Sequence, residues 1–224
     1  MPEPFYTILR FLHPAGAFLA FAVAPIVLVT AKGGRRHMLA GRIFVVGLLI
    51  GAPAGILLAW IRFPDPPVWG LLFLGLLALF FIIAGYLAPR IARGSRVAYR
   101  WDRALTIVGV LASLSLIAQD LPRTTLESPV REGLASGIFG LWVAVAHARW
   151  KGPADPSRWR VEHFTTLLGA YTVIWWFIFG LYIRALPEAP RVLIPTLMSV
   201  VAILWARHRF TEPMPSGDPV SALL

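Results

Sequence analysis

Seven runs of apolar residues, joined by short polar connections, dominate this 224-residue chain. They are Leu12–Thr30, Met38–Ile61, Val68–Ala88, Ala104–Ala118, Leu134–Ala148, Phe164–Ile183 and Val192–Ala206. A helix crosses the bilayer core with about 20 apolar residues and needs at least about 18. Four runs meet that length. The fourth, fifth and seventh have only about 15 residues, so they require extension into flanking turns or local thinning of the bilayer. Spans of this size consume most of the chain and leave short loops. Composition agrees, with 58% hydrophobic and 14% charged residues against about 25% charged in soluble domains. The expectation is all-α: a polytopic membrane helical bundle of about seven transmembrane helices. One domain covers residues 1–211, and a Pro/Gly-rich stretch at 212–224 reads as a short flexible tail. The first run lacks a basic leader and runs on into further spans, so it reads as a retained helix. Cysteine is absent, which excludes disulfides, thiolate metal sites and a cysteine nucleophile.

The basic residues alternate from one connection to the next. Lys32, Arg35, Arg36 and Arg42 surround the first, Arg90, Arg93, Arg96, Arg100 and Arg103 the third, Arg149, Lys151, Arg158 and Arg160 the fifth, and Arg207 and Arg209 lie past the last run. The opposite side has only Arg10, Arg62, Arg123, Arg131, Arg184 and Arg191, balanced by Glu3, Asp65, Asp120, Glu127, Glu132 and Glu188. Lys/Arg excess marks the cytoplasmic face, so the amino terminus is expected outside and the carboxyl terminus in the cytoplasm, in the cell (inner) membrane. The +10 net charge becomes a collar against lipid headgroups, and topology accounts for it without nucleic acid. Trp60 and Trp69 at one edge, and Trp101, Trp150, Trp159 and Trp205 at the other, fit interfacial belts.

Asp, Glu, Lys and Arg fall near the predicted membrane edges, which argues against a proton-driven transporter. Neither lysine lies in a span, which excludes a retinal pigment. Gly47, Gly51 and Gly55 repeat at four-residue spacing, as do Gly133 and Gly137, continued by Ser136 and Gly140. Such faces bring helices close together, either within the chain or in a homo-oligomer or membrane complex. Pro14, Pro25, Pro53 and Pro195 lie within runs and remove backbone donors there. Histidine carries the main chemical information. His13 sits near the outer edge, and His37, His147, His163 and His208 near the inner one. Imidazole ligates haem or metal, or moves a proton near neutrality. Two haems would need ligand pairs at both faces, whereas one b-type haem needs two of His37, His147 and His163. The bland reading, imidazoles against headgroups or helix ends, stands beside it.

Leu12-His13-Pro14, followed by an apolar helix and then His37-Met-Leu-Ala-Gly41-Arg42-Ile43-Phe44, resembles a bacterial family of predicted multi-span membrane proteins catalogued as domain of unknown function 2306. Glu162-His163, Leu168-Gly169-Ala170-Tyr171 and Pro195-Thr196 are similar to that family's later motifs, while Tyr99-Arg100 stands where many members carry His-Arg. The resemblance implies a polytopic membrane fold, and it nominates His13, His37, Gly41, Arg42, His163 and Tyr171 as site positions. His37 and Gly41 share a helix face, and a glycine there leaves room for a ring or headgroup. Three functions follow as expectations. The first is a non-catalytic component, either a small-ligand or lipid-binding protein or an accessory subunit. The second is a redox protein with one haem b (or a quinone) held by the cytoplasmic-side histidines. The third is a transporter of a neutral or lipidic solute.

Overall fold

A computed structural model describes residues 3–61, 66–123, 132–155, 158–183 and 186–211. Among them the chain forms α1 (Glu3–Val29), α2 (Arg35–Ile61), α3 (Pro66–Ala92), α4 (Arg96–Asp120), α5 (Glu132–Ala148), α6 (Trp159–Tyr182) and α7 (Glu188–Thr211), with no strands. Short 3₁₀ turns at Leu121–Arg123 and Gly152–Ala154 follow α4 and α5. Five helices, α1, α2, α3, α4 and α7, are long and apolar enough to cross a membrane. The helices are longer than the apolar runs because their polar ends continue the backbone ladder past the hydrophobic stretch. The fourth run grows into the 25 residues of α4 and the seventh into the 24 of α7. The fifth remains the shortest, with 17 residues in α5. Arg62, Asp65, Glu127, Arg131 and Arg184, and the tail from Glu212 onward, lie outside the described residues.

α3 occupies the centre, packed against α2, α4 and α6. Leu77, Phe80, Phe81, Ile82, Ala84, Ala88 and Ile91 along it are fully buried. α5 pairs with α4, α7 with α6, and α1 with α2. By contrast α1 and α2 barely meet α6 by backbone. Rings bridge that space instead: Phe21 contacts Trp175 and Tyr171 at centroid distances of 5.2 and 6.1 Å, and Phe44 meets Tyr171 at 6.4 Å.

Both glycine faces are used within the chain. A Cβ on Gly16 would stand 2.5 Å from the Gly47 carbonyl oxygen and 2.7 Å from the Gly51 nitrogen. A side chain on Gly55 would collide with the imidazole of His13. On α5, Gly133 and Gly137 pack against Asp120, and against Ile117 and the Ser113 carbonyl, of α4. Polar groups on buried faces pair across helices: the Thr172 and Ser199 hydroxyls join α6 to α7, and Trp176 Nε1 donates to Thr196 Oγ1 at 3.0 Å. Trp176, expected within a span, is thereby a core residue.

Gly16→Val should destabilise the protein by about 1–3 kcal/mol, the usual penalty of overpacking a closed contact. Gly41→Ala, where an added Cβ meets nothing within 4 Å, should hold or raise stability by up to about 1 kcal/mol through helix propensity. Thermal unfolding of both variants in the same detergent separates a tight glycine from an open one.

Candidate functional site

One end of the bundle has two clusters of titratable side chains, back to back across α6. In the first, the ring of His147 in α5 lies between two carboxylates. Nε2 is 2.8 Å from Asp102 Oδ1 of α4, and Nδ1 is 2.8 Å from Glu162 Oε2 of α6. Exposure is 0% for Asp102, 0% for His147 and 1% for Glu162. Two hydrogens must serve those two bonds, so the trio carries one net negative charge wherever its protons reside. Arg103 and Arg158 compensate it. Arg103 Nη2 reaches Asp102 Oδ2 at 3.1 Å, and its Nη1 donates to the Ala148 carbonyl at 2.9 Å, where α5 runs out of helical donors. Arg158 Nε donates to Glu162 Oε1 at 3.1 Å. The next loop turns inward over this cluster. Trp150, 1% exposed, packs 5.7 Å from the His147 ring and donates from Nε1 to the Asp155 carbonyl at 2.8 Å. Gly152 permits the turn with φ +59°, and a Cβ there would stand 2.5 Å from the Tyr99 ring and 3.1 Å from Ile91.

This cluster does not present a metal site. Its two ring nitrogens point at different carboxylates on opposite sides of the imidazole, and no group of three or more His, Cys, Asp or Glu among the described residues converges on a common point. Contrary to its grouping with His37 and His163 in the sequence, His147 has both ring nitrogens engaged by carboxylates and no nitrogen open to a ligand role. Asp102 and Glu162 were read from sequence only as edge charges. The signals available were the cation beside each, Arg103 adjacent to Asp102 and Arg158 one turn before Glu162.

The second cluster comprises His37 of α2 and His163 of α6. Each is half-buried, and each Nδ1 donates to a backbone carbonyl that lacks a normal helix donor. For His163 the acceptor is Gly85 of α3 at 2.8 Å. The residue four positions on is Pro89, which has no N–H to offer that carbonyl. For His37 it is Val27 at 3.2 Å, in the last turn of α1, where carbonyls run out of partners. Lys32, between α1 and α2, completes that end by donating to the Val27 and Leu28 carbonyls at 2.9 and 3.0 Å. Burial holds its ammonium below the ordinary lysine value. His37 and Lys32 are within electrostatic reach of His163. A carbonyl cannot donate, so each Nδ1 carries a hydrogen, and in the neutral imidazole each Nε2 presents a lone pair. Among the described residues neither Nε2 has a hydrogen-bond partner.

The remaining nominated positions divide between these ends. Gly41 lies one turn beyond His37 with open space where a side chain would be, and Arg42 is exposed. Tyr171 is buried two turns from His163, among Phe21, Phe44 and Trp175. His13 lies inside α1, ten residues from its start, its Nδ1 2.8 Å from the Gly51 carbonyl. His208, near the end of α7, is exposed. No protein-family model matches the chain, and no curated protein or solved structure matches it.

His147→Ala removes both hydrogens from the trio and leaves two buried carboxylates facing a void, which should cost about 3–5 kcal/mol. Adding Asp102→Asn to that variant should recover part of the loss, because one uncompensated charge then disappears. A double-mutant cycle of chemical denaturation in detergent reads the coupling; strict additivity of the two changes would show that the carboxylates do not act through the imidazole.

Proposed function

We propose that the chain is an integral membrane protein that holds one b-type haem between His37 and His163 and serves as a binding or electron-carrying subunit of a membrane complex. In this reading it resides in the cell membrane with its amino terminus outside and the Lys/Arg-rich end, which includes both histidines, in the cytoplasm. The observation that carries the proposal is the pair of imidazoles on different helices, each fixed by an Nδ1–H···O=C bond with a lone pair at Nε2. Haem-ligating histidines need that second-shell arrangement, because a carbonyl on the other nitrogen sets tautomer and orientation and raises ligand basicity. Other features fit the group: the empty position beside Gly41, the aromatic rings of Phe21, Phe44, Tyr171 and Trp175 where α1 and α2 face α6, and the exposed cations Arg36 and Arg42 for carboxylate substituents. Haem would supply one-electron exchange at the iron. The protein's part is to orient two ligands, keep water from the ring faces and neutralise the carboxylates. The family resemblance, through His37, Gly41, Arg42 and His163, directs attention to the same place.

Protein purified after expression with ample haem should show a Soret band that shifts on dithionite reduction. His37→Ala and His163→Ala should each abolish its bis-imidazole form, while a folded His147→Gln should retain it. A flat spectrum above the aromatic band would overturn the haem reading and leave a non-redox binding component. Pro89→Ala offers the Gly85 carbonyl an N–H that competes with His163, and it should weaken haem retention about tenfold or more, the scale of second-shell losses. Dissociation to apomyoglobin measures that retention.

A further inference from the structure

We infer that His13, inside α1 and about 21 Å along the bundle from His37 and His163, is the head-group position of a second ligand site, which takes a neutral hydroquinone-type lipid and prefers it to the oxidised quinone. The inference does not depend on haem binding at the other end.

The direction of one hydrogen decides the preference. His13 Nδ1 lies 2.8 Å from the Gly51 carbonyl oxygen, an atom that can only accept, so Nδ1 carries a hydrogen and the neutral ring has its lone pair at Nε2. No partner for that lone pair is found among the described residues. The ring is also held in place. Gly55 leaves the slot that the imidazole fills, and a Cβ there would be 2.7 Å from both His13 Cε1 and Nδ1. An immobile acceptor recognises an O–H. A hydroquinone brings two such donors, whereas a quinone brings carbonyl oxygens only and sets acceptor against acceptor. One turn earlier in α1 the Arg10 carbonyl faces Pro14, which has no N–H to give it, so a second acceptor lies nearby.

The surroundings select a flat, uncharged ring. His13 meets the edge of Phe177 at 6.1 Å and an interplanar angle of 80°. On the same stretch of α6, Trp175 and Phe179 lie 5.6 Å apart. His13 itself is half-buried on a helix rich in exposed apolar residues, among them Phe11, Leu12, Phe18 and Leu19, which suits a ligand arriving from the lipid phase. From His37 to Gly51 along α2, and from His163 to Phe177 along α6, the separation is about 21 Å at 1.5 Å per residue. The two ends are thus distinct sites joined by the rings of Phe21, Phe44, Tyr171 and Trp175.

The test is an anaerobic calorimetric titration of the full-length protein in phosphatidylcholine nanodiscs with a short-chain ubiquinol and, separately, with the matching ubiquinone. The quinol should bind at least about tenfold more tightly, the discrimination expected of one well-made hydrogen bond. His13→Phe should lower quinol affinity about tenfold and leave the quinone unchanged. His13→Gln, whose amide also donates, should erase the preference. His37→Ala and His163→Ala should leave both titrations as they are, so a failure of the haem reading does not touch this one. Equal affinity for quinol and quinone in the unaltered protein would overturn the proposal, with no dependence on how any variant folds. A preference that survives in folded His13→Phe would overturn it equally. A long-chain alcohol that matches the quinol would overturn the ring part of the assignment.

Discussion

A proline inside a helix, or the end of a helix, leaves a backbone carbonyl without its usual donor, and a side chain from elsewhere can supply the missing hydrogen. Two such carbonyls organise the histidine-bearing end of this protein. Pro89 leaves the Gly85 oxygen open, and His163 supplies the missing hydrogen from α6. The end of α1 leaves Val27 open, and both His37 and Lys32 answer it. What looks like local repair has a chemical result. Each imidazole is fixed by a hydrogen on Nδ1, and its other nitrogen has no partner among the described residues. The same bond type recurs at His13, where the acceptor is Gly51.

The buried ion cluster works with this arrangement. Glu162 and His163 are neighbours in sequence, so on α6 their side chains leave the helix about 100° apart. One points toward His147 and α4, the other toward α3. The bond between Glu162 and His147 therefore sets the rotation of α6 about its axis, and with it the direction of His163. Burying ions is expensive, and such clusters persist where geometry and hydrogen bonding are complete. Here every carboxylate oxygen of Asp102 and Glu162 has a donor, and Trp150 covers the group.

Much of this was legible in the sequence, and the illegible part has a physical cause. Apolar runs bounded by charge located all the helices, because the hydrocarbon requirement is one-dimensional and can be read residue by residue. The glycine spacing of α2 announced a close helix contact, and α1 provides it. The helix ends were misjudged because polar turns extend a helix beyond the apolar stretch that reveals it, as at Arg96 and Glu188. The ion cluster was missed for a related reason. Asp102 and Glu162 sit within the first two turns of their helices, where hydropathy sees only an edge charge, and the residue between them, His147, comes from a third helix. Which histidines share a site depends on pairing across helices α2, α3 and α6. Nothing in the spacing of His37, His147 and His163 distinguishes the one that turns toward carboxylates from the two that turn toward carbonyls.

The interlock of Gly16 with Gly47 and Gly51 bears on the order in which the molecule is built. Segments near the amino terminus are made and can fold first, and α1 and α2 carry their whole mutual interface, including the bond from His13 to Gly51, within the first 61 residues. This hairpin can form while α6 is still on the ribosome. His37 is then already tethered to Val27, before residue 163 emerges to bond the Gly85 carbonyl of α3. The His13 end takes shape early and the two-histidine end closes late, so a truncated or stalled chain would display the first without the second.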